Sequence, residues 1–338
     1  MTESRPSEVN IEKAPPGWSS RSDADPRAAL EAVRGEVAKA VIGNERAVTL
    51  VLIALLCRGH VLLEGVPGVA KTLLVRAVAD ALAVDHARLQ FTPDLMPGDV
   101  TGSQIYDPSK TDFLFREGPV FTNLLLADEI NRTPAKTQAA LLEAMEERQV
   151  SVDGTPRPLP EPFMVIATQN PVEQEGTYSL PEAQLDRFLF KIDMALPNRD
   201  EEFTILRRHA AGFNPRDLHA AGVRVVAGPT ELTAARESVA STTYAPEVLA
   251  YVVDLCRATR MAPPVLFGAS TRGATMLMFA ARAHAWLLGR SFVTPDDVQA
   301  VAIPALRHRL ILRPEAEVDG LLSDVVLTGI LRTVPAPV

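Results

Sequence analysis

Residues 65–72 read GVPGVAKT, and these residue types at this spacing could bind phosphate groups. Gly65 and Gly68 allow a turn to point its backbone N–H groups inward, and a helix that starts near Lys71 adds its positive end. Lys71 can reach the outer phosphates, and the Thr72 hydroxyl can bind Mg²⁺. We therefore predict nucleotide binding by the whole loop, which consists of Gly65, Val66, Pro67, Gly68, Val69, Ala70, Lys71 and Thr72.

The segments on either side of this loop match the setting of a P-loop. Residues 60–64 form a short apolar run that predicts a buried strand, and residues 73–82 have the Ala/Leu/Val composition of a helix. Ala70 stands where the strict GxxxxGK[ST] string has glycine, so the match is to a GxPGxxKT variant. The alternative is a glycine-rich turn between strand and helix that binds no ligand.

A second apolar run, residues 123–127, ends in Asp128 and Glu129. A central parallel strand delivers acids in this way to the carboxyl edge of a sheet. We expect Thr72 and Asp128 to hold Mg²⁺, and Glu129 to act as general base on the attacking water. Asn170 follows another predicted strand and could orient that water or contact the γ-phosphate. Acids also cap strands without a metal, so the prediction depends on the pairing of this run with the P-loop.

Hydrolysis of a phosphoanhydride also needs positive charge to meet the negative charge that develops in the transition state. Arg187 follows a short predicted helix, and Arg272 lies in the first turn of a helix predicted over residues 271–288. Either side chain could supply this charge. Either could equally form a surface ion pair, which is the commoner role of an arginine.

The pattern of predicted elements defines the fold class as α/β. Strands and helices alternate over residues 27–198, which predicts a P-loop αβα core with a parallel sheet. After a linker at residues 199–230, residues 231–338 show helical signals only and predict an all-helical lid domain. Residues 1–26 lack periodicity and predict a disordered tail. Val41, Ile42 and Gly43 follow the first predicted helix, where they could cover an adenine ring or form a plain helix–helix turn.

Two insertions interrupt the core. The stretch from Phe91 to Thr122 is rich in Pro, Gly and Asp and predicts a small β-hairpin with exposed loops. Asp153-Gly154 lies between two short alternating runs and predicts a second hairpin. The helix that precedes it carries three acids for which we expect structural roles on its solvated side, namely Glu143, Glu146 and Glu147.

The composition excludes several classes of protein. The 338 residues are 47% hydrophobic and 22% charged, as in ordinary globular proteins, and the net charge of −8 argues against a broad nucleic-acid surface. Cys57 and Cys256 have no CxxC or histidine partners, which favours buried reduced thiols. The chain has no apolar stretch of signal-peptide or membrane-spanning type, so we expect a cytoplasmic protein.

Four separated stretches of residues 27–338 resemble the MoxR branch of the AAA+ ATPases. They are GVPGVAKT from Gly65, LADEINRTPAKTQAALLEAMEERQV from Leu126, ATQNPVEQEGTYSLPEAQLDRF from Ala167, and GASTRG from Gly268. The resemblance implies ATP and Mg²⁺ as ligands. It also implies the following roles: Lys71 and Thr72 in Walker A, Asp128 and Glu129 in Walker B, Asn170 as sensor 1, Arg187 as arginine finger, and Arg272 as sensor 2 in the lid.

The same resemblance implies a homo-oligomeric ring, a hexamer, with ATP at the subunit interfaces. The implied work is chaperone-like remodelling or maturation of a partner, commonly a protein with a von Willebrand factor A domain, with metal-cofactor insertion as one form of it. A magnesium-chelatase-like ATPase subunit is an alternative, because it would share every one of these motifs. A nucleic-acid motor is a third reading, which the mixed charge of the two insertions disfavours: Lys110, Arg116, Arg148 and Arg157 against Asp99, Asp107, Asp112, Asp153 and Glu161.

Overall fold

The elements of the chain are taken from a computed structural model that describes residues 11–14, 25–109, 111–152, 154–170, 178 and 180–337. The strands are β1 (Ile11–Glu12), β2 (Val61–Glu64), β3 (His86–Gln90), β4 (Gly102–Asp107), β5 (Asp112–Glu117), β6 (Leu124–Asp128), β7 (Gln149–Val152), β8 (Thr155–Pro158), β9 (Met164–Gln169), β10 (Phe190–Asp193), β11 (Val265–Phe267) and β12 (Ile311–Leu312).

The helices lie on both faces of a six-stranded central sheet and make up most of the C-terminal third of the chain. They are α1 (Pro26–Ala38), α2 (Glu45–Leu56), α3 (Lys71–Ala81), α4 (Pro97–Thr101), α5 (Ala135–Glu147), α6 (Glu182–Leu185), α7 (Arg199–Ala210), α8 (Pro229–Ala240), α9 (Pro246–Met261), α10 (Thr271–Leu287), α11 (Pro295–Leu306), α12 (Pro314–Val318) and α13 (Ser323–Thr333).

Six strands form the central sheet in the order β1-β3-β6-β9-β2-β10, and all neighbours except β1 and β3 are parallel. Side chains of successive residues alternate between two hydrophobic clusters. Val61 and Leu63 of β2 belong to one cluster and Leu62 to the other. Burial on both faces explains the continuous apolar runs in the sequence, because a parallel sheet is covered by helices on each side. The predicted α/β class is confirmed.

The edge strand β1 corrects two expectations. Ile11 and Glu12 pair antiparallel with Ala87 and His86, so the sheet is mixed, and part of the segment predicted as a disordered tail is a strand. This pairing covers backbone N–H and C=O groups that β3 would otherwise expose at the sheet edge. Glu12 also lies 3.2 Å from the His86 ring. The remaining tail residues, 1–10 and 15–24, lie outside the described part of the chain.

Both insertions form hairpins at the predicted places. Strands β4 and β5 pair antiparallel over six residues each, and β7 pairs with β8 around the expected turn, of which Asp153 lies outside the described residues. The Arg157 guanidinium of β8 stacks over the Phe115 ring of β5 at 4.1 Å. The two hairpins are therefore in contact with each other.

A helical lid follows the core, as predicted, but it is not purely helical. Strands β11 and β12 pair antiparallel and join the end of α9 to the segment before α12. Helix α7 occupies the first part of the stretch predicted as a linker. Asn198 caps this helix by accepting hydrogen bonds from the backbone N–H groups of Asp200 and Glu201. The boundaries at residues 198 and 230 stay a prediction.

Arg309 of the lid joins the lid to the core. Its side chain is only 2% exposed, and its Nε donates to the Asp186 carboxylate at 2.6 Å. Its terminal nitrogens donate to backbone carbonyls of Asp186, Phe188 and Leu189. The neighbouring His308 ring nitrogen Nε2 lies 3.0 Å from the Phe188 carbonyl as well. The segment that contains Arg187 is thus fixed by the lid.

His60, just before β2, connects three elements of the core. Its Nδ1 accepts the backbone N–H of Val165 in β9 at 2.9 Å, and its Nε2 lies 3.2 Å from the carbonyl of Met145 in α5. These two bonds require the neutral ring with its proton on Nε2. Burial is the main cause that lowers the pKa of His60 from 6.5 to about 4.

This geometry predicts a loss of stability in acid. Since the pKa of His60 is lower in the folded state than in the unfolded state, its contribution is complete above pH 6.5 and is lost as the pH falls towards 4. The loss is about 3 kcal/mol. Urea unfolding of the wild type and His60→Gln should show a stability difference that shrinks by this amount between pH 7 and pH 4. A difference that is independent of pH would contradict the neutral-ring assignment.

Candidate functional site

The P-loop runs from β2 into α3 and depends on three unusual backbone positions. A Cβ on Gly65 would lie 2.6 Å from the Met194 carbonyl oxygen, so only glycine fits there. Gly68 has φ +90°, which glycine adopts without strain. Ala70, where the strict motif has glycine, has φ 64° and ψ 24° and caps α3. This left-handed conformation costs an alanine about 1 kcal/mol.

Lys71, the first residue of α3, points across the mouth of the loop. Its ammonium donates to the carbonyl of Gly65 and to the carbonyl of Gln169 at 3.1 Å, the latter at the end of β9. Burial lowers the pKa of Lys71 from its ordinary value, while the carboxylates of Asp128, Glu129 and Glu64 oppose that shift. These carboxylates favour the charged ammonium that phosphate recognition requires.

Asp128 ends β6 and is fixed from two sides. Its Oδ1 accepts the Thr168 hydroxyl at 2.6 Å, and its Oδ2 accepts two nitrogens of Arg88 at 2.6 and 3.1 Å. The side chain of Asp128 is 14% exposed and that of Arg88 is 54% exposed. Arg88 can therefore move into solvent, whereas Asp128 stays at the sheet edge.

Glu129 follows β6 in a left-handed conformation with φ 57° and ψ 50°. Its backbone N–H donates to Thr168 Oγ1 at 2.9 Å. Its Oε2 accepts from Gln90 at 2.6 Å and from Arg132 at 3.0 Å. These two hydrogen bonds, from an amide and a guanidinium, fix the direction of the carboxylate. This restraint holds the Glu129 carboxylate next to the end of β6.

A pocket of about 450 Å³ brings the loop and these acids together. Its size suits a phosphate-bearing ligand. It contains the buried Asn170, so sequence and structure agree on the grouping of Lys71, Thr72, Asp128, Glu129 and Asn170. The described residues that line it are Val66, Pro67, Gly68, Ala70, Lys71, Thr72, Leu73, Arg88, Gln90, Asp128, Glu129, Thr168, Asn170 and Pro215.

The donors in this pocket fit Mg²⁺. Thr72 and Asp128 offer hard oxygen ligands in one pocket with Lys71. Among the described residues no group of three or more His, Cys, Asp or Glu could hold a metal ion by itself. Mg²⁺ ordinarily uses one or two protein oxygens together with phosphates and water, so this sparse donor set suits it.

Five residues that we predicted to bind the nucleotide do not line the pocket. Gly65 and Val69 support the loop from behind: Gly65 abuts Met194, and Val69 is buried in the core. Val41 is buried in the same core. The Gly43 α-carbon faces the Glu201 carboxylate of α7, where an added Cβ would lie 2.7 Å away. Gly43 thus lies beside α7, and none of Val41, Ile42 and Gly43 is among the described residues that line the pocket.

Arg187 and Arg272 lie together in a second pocket of about 410 Å³. None of its described lining residues belongs to the P-loop pocket. Between the two arginines lies Glu146 of α5, whose Oε2 accepts from Arg187 Nε at 2.6 Å and whose Oε1 accepts from Arg272 at 3.0 Å. We expected a structural role for Glu146 on the solvated side of α5. Glu146 is exposed, as predicted, and it also contacts both predicted functional arginines.

Sequence reasoning missed Arg88, Gln90 and Thr168, although all three line the P-loop pocket. Arg88 and Gln90 lie two residues apart on β3 and so point to the same face, and Gln90 lies opposite Asp128 in the strand register. The alternation of polar residues at the end of β3 could have indicated that Arg88 and Gln90 share a face, but the sequence pattern does not show that β3 lies beside β6.

Two families match the chain in its two parts. Residues 60–190 match the ATPase family associated with various cellular activities (AAA), and residues 257–328 match the AAA lid domain. Both P-loop pocket acids and Arg187 lie within the first match, and Arg272 lies within the second. The order of the two matches agrees with the order of core and lid in the structure.

Comparison with single proteins extends the similarity over nearly the whole chain. The chain is 46% identical to the uncharacterized protein YeaC of Bacillus subtilis (strain 168), covering 89% of this chain and 92% of YeaC. It is 42% identical to Chaperone MoxR1 of Mycobacterium tuberculosis (strain ATCC 25618 / H37Rv), covering 96% and 86%. A crystal structure of a protein proposed to be an ATPase from Cytophaga hutchinsonii (ATCC 33406) superposes with a TM-score of 0.85 at 41% identity, covering 93% and 96%.

The pocket predicts separate defects for two of its residues. Lys71→Ala removes the ammonium aimed at the phosphates and should abolish ATP binding, measured by titration calorimetry. Glu129→Gln keeps the shape of the side chain and removes the base, so it should bind ATP like the wild type and lose turnover by about 10²-fold or more. Equal ATP affinity in the wild type and Lys71→Ala would refute the assignment of the P-loop.

Proposed function

We propose that this chain, which belongs to the MoxR family of AAA ATPases, hydrolyses ATP at the interfaces of a ring in which each subunit completes its neighbour's active site. One observation carries the proposal. The P-loop pocket and the pocket of Arg187 and Arg272 share no described lining residue, although hydrolysis needs positive charge at the γ-phosphate. The missing charge then comes from another copy of the chain.

Two different surfaces on each subunit determine the type of assembly. A P-loop pocket on one subunit that meets an arginine pocket on the next is a head-to-tail contact, which either closes into a ring or continues as a filament. We propose closure, with six subunits as in the family to which the resemblance points. Arg187 then acts as the arginine finger, and Arg272 meets the same phosphates from the lid of the same neighbouring subunit.

Within the P-loop pocket each side chain has a separate task. Lys71 binds the outer phosphates, and Glu129, held by Gln90 and Arg132, takes a proton from the attacking water. Asn170 orients that water. Thr72 and Asp128 would hold Mg²⁺, which when bound offsets phosphate charge. Arg88 moves into solvent and gives up its ion pair with Asp128 when the Asp128 carboxylate binds the ligand.

The work done with this energy is, by our proposal, chaperone-like remodelling or maturation of a partner protein. The similarity to Chaperone MoxR1 supports this reading. The β4–β5 hairpin offers a surface for such a client, because Tyr106 and Phe113 form an exposed edge-to-face pair on it. A partner with a von Willebrand factor A domain, and metal insertion into it, remain parts of the proposal that the family resemblance alone supports.

The two alternatives gain less support. Two of the arginines that a nucleic-acid motor would use have intramolecular partners: Arg157 stacks on Phe115, and Arg148 donates to Glu161 and to the Arg58 carbonyl. Arg116 is exposed on β5. Lys110 lies outside the described residues. A magnesium-chelatase-like subunit would carry the same ATPase site, and it differs by the large partner subunit that handles porphyrin and metal.

Mixed rings test the proposal directly. Arg187→Ala has an intact Glu129 but no finger, and Glu129→Gln has the finger but no base. Arg187→Ala alone should lose about 10³-fold or more of the ATPase rate, and Glu129→Gln alone about 10²-fold or more. A mixture should regain activity, because some interfaces then combine an intact Glu129 with an intact Arg187. The measurement is ATPase rate against mixing ratio.

A mixture of Arg187→Ala with Lys71→Ala serves as a second arm, since Lys71→Ala also retains the finger and should complement in the same way. Light scattering and tagged-subunit pull-down establish that mixed rings have formed. Mixed rings without regained activity would show that Arg187 does not act on a neighbouring subunit.

A further inference from the structure

Glu146 makes an arrangement with Arg187 that suits phosphate recognition by the arginine. The carboxylate accepts from Arg187 Nε, which is the side of the guanidinium nearest its own chain. In the described part of the protein, the two terminal nitrogens of Arg187 have no hydrogen-bond partner, and the side chain is 29% exposed. A guanidinium that is held at Nε points its two terminal nitrogens outward. These two nitrogens form the planar fork that binds phosphate oxygens.

The same carboxylate permits a second guanidinium at close range. Arg272 reaches Glu146 Oε1 through NH1, and its Nε lies 3.9 Å from Asp186 Oδ2. Two guanidinium groups on one carboxylate would repel each other without the intervening negative charge. Hydrogen bonds from Arg187 and then from Arg272 lower the pKa of Glu146, so the carboxylate is ionised at neutral pH. The two guanidinium groups and the one carboxylate together keep a net positive charge, which can attract an incoming phosphate.

Both ends of this arrangement are anchored in the core. Met145, next to Glu146, has its carbonyl within 3.2 Å of the buried His60 ring. The backbone on each side of Arg187 is held by the buried guanidinium of Arg309, through the carbonyls of Asp186 and Phe188. The distance between Glu146 and Arg187 is therefore set by the fold and not by two free surface side chains.

We propose that Glu146 is a positioning residue that orients the Arg187 and Arg272 guanidiniums towards the triphosphate bound by the neighbouring subunit. This inference rests on the proposed action of Arg187 between subunits. Glu146 itself touches no substrate. It keeps its bond to Nε of Arg187 while the terminal nitrogens engage the γ-phosphate, so the finger does not have to be ordered at the moment of reaction.

The variant Glu146→Gln tests this role because it preserves size and replaces one acceptor oxygen by a donor group. Its kcat should fall by about 10²-fold, the cost of a misplaced catalytic group. Its ATP affinity, measured by titration calorimetry, should equal that of the wild type, because the P-loop pocket of the same subunit is untouched. Glu147→Gln is the matched control: this exposed neighbour on α5 should leave kcat unchanged.

Complementation separates positioning from a general structural defect. Glu146→Gln mixed with Glu129→Gln should regain activity well above either parent, because the defect lies on the arginine side of the interface. Glu146→Gln mixed with Arg187→Ala should regain none, because both defects lie on that side. A subunit damaged as a whole would complement neither partner.

Other outcomes distinguish a failure of the proposed action between subunits from a failure of the positioning role of Glu146 alone. If Arg187→Ala and Glu129→Gln fail to complement in rings shown to be mixed, the action between subunits is wrong and the role of Glu146 fails with it. If that reference pair complements but Glu146→Gln keeps full kcat, raises it, or does not complement Glu129→Gln, only the positioning role is overturned.

Discussion

The arrangement of this molecule depends on one buried cation, the guanidinium of Arg309. Burying an unpaired charge is costly, and removing a partner from a buried ion pair typically costs about 3–5 kcal/mol. Here the Asp186 carboxylate and the carbonyls of Asp186, Phe188 and Leu189 satisfy the guanidinium. Arg309 belongs to the lid and these partners belong to the core. The lid therefore cannot change its place at this contact without leaving a buried charge unsatisfied.

This contact fixes the position of the pocket that contains Arg187 and Arg272. Arg309 holds the segment on either side of Arg187, and Gly273, next to Arg272, packs against the Arg309 side chain, where an added Cβ would lie 2.9 Å from Cδ. The positions of Arg187 and Arg272 thus both depend on this one buried group, and both side chains reach Glu146. The P-loop pocket lies elsewhere, at the carboxyl edge of β6 and β9. In the proposed ring, a single subunit therefore has all the groups that bind the nucleotide, but it lacks part of the positive charge that hydrolysis needs.

The sequence predicted those parts of the site whose chemistry is local. The P-loop and the apolar run before Asp128 and Glu129 indicate strand ends by themselves, and the structure groups both with Asn170 in one pocket. Apolar runs also predicted the parallel strands, because burial on both faces leaves a continuous pattern. Sequence predicted neither the antiparallel β1, which is only two residues long, nor the short β11–β12 pair.

The remaining parts depend on contacts between residues far apart in the chain. Glu146 meets Arg187 across 41 positions and Arg272 across 126. A glutamate on an exposed helix face has no local feature that distinguishes it from Glu143 or Glu147. Arg88 similarly has a role only because β3 lies beside β6, an order that the sequence pattern does not fix. Strand order and the docking of the lid are tertiary facts, and these contacts follow from them.

A cryo-electron microscopy structure of the Glu129→Gln protein with ATP and Mg²⁺ would test the central claim most directly. We predict a closed ring in which the terminal nitrogens of Arg187 lie within hydrogen-bond distance of the γ-phosphate bound by Lys71 of the adjacent subunit. Glu146 should still accept from Arg187 Nε in that structure. A γ-phosphate contacted by Arg187 or Arg272 of the subunit that binds it, or left without an arginine in a closed ring, would contradict the account.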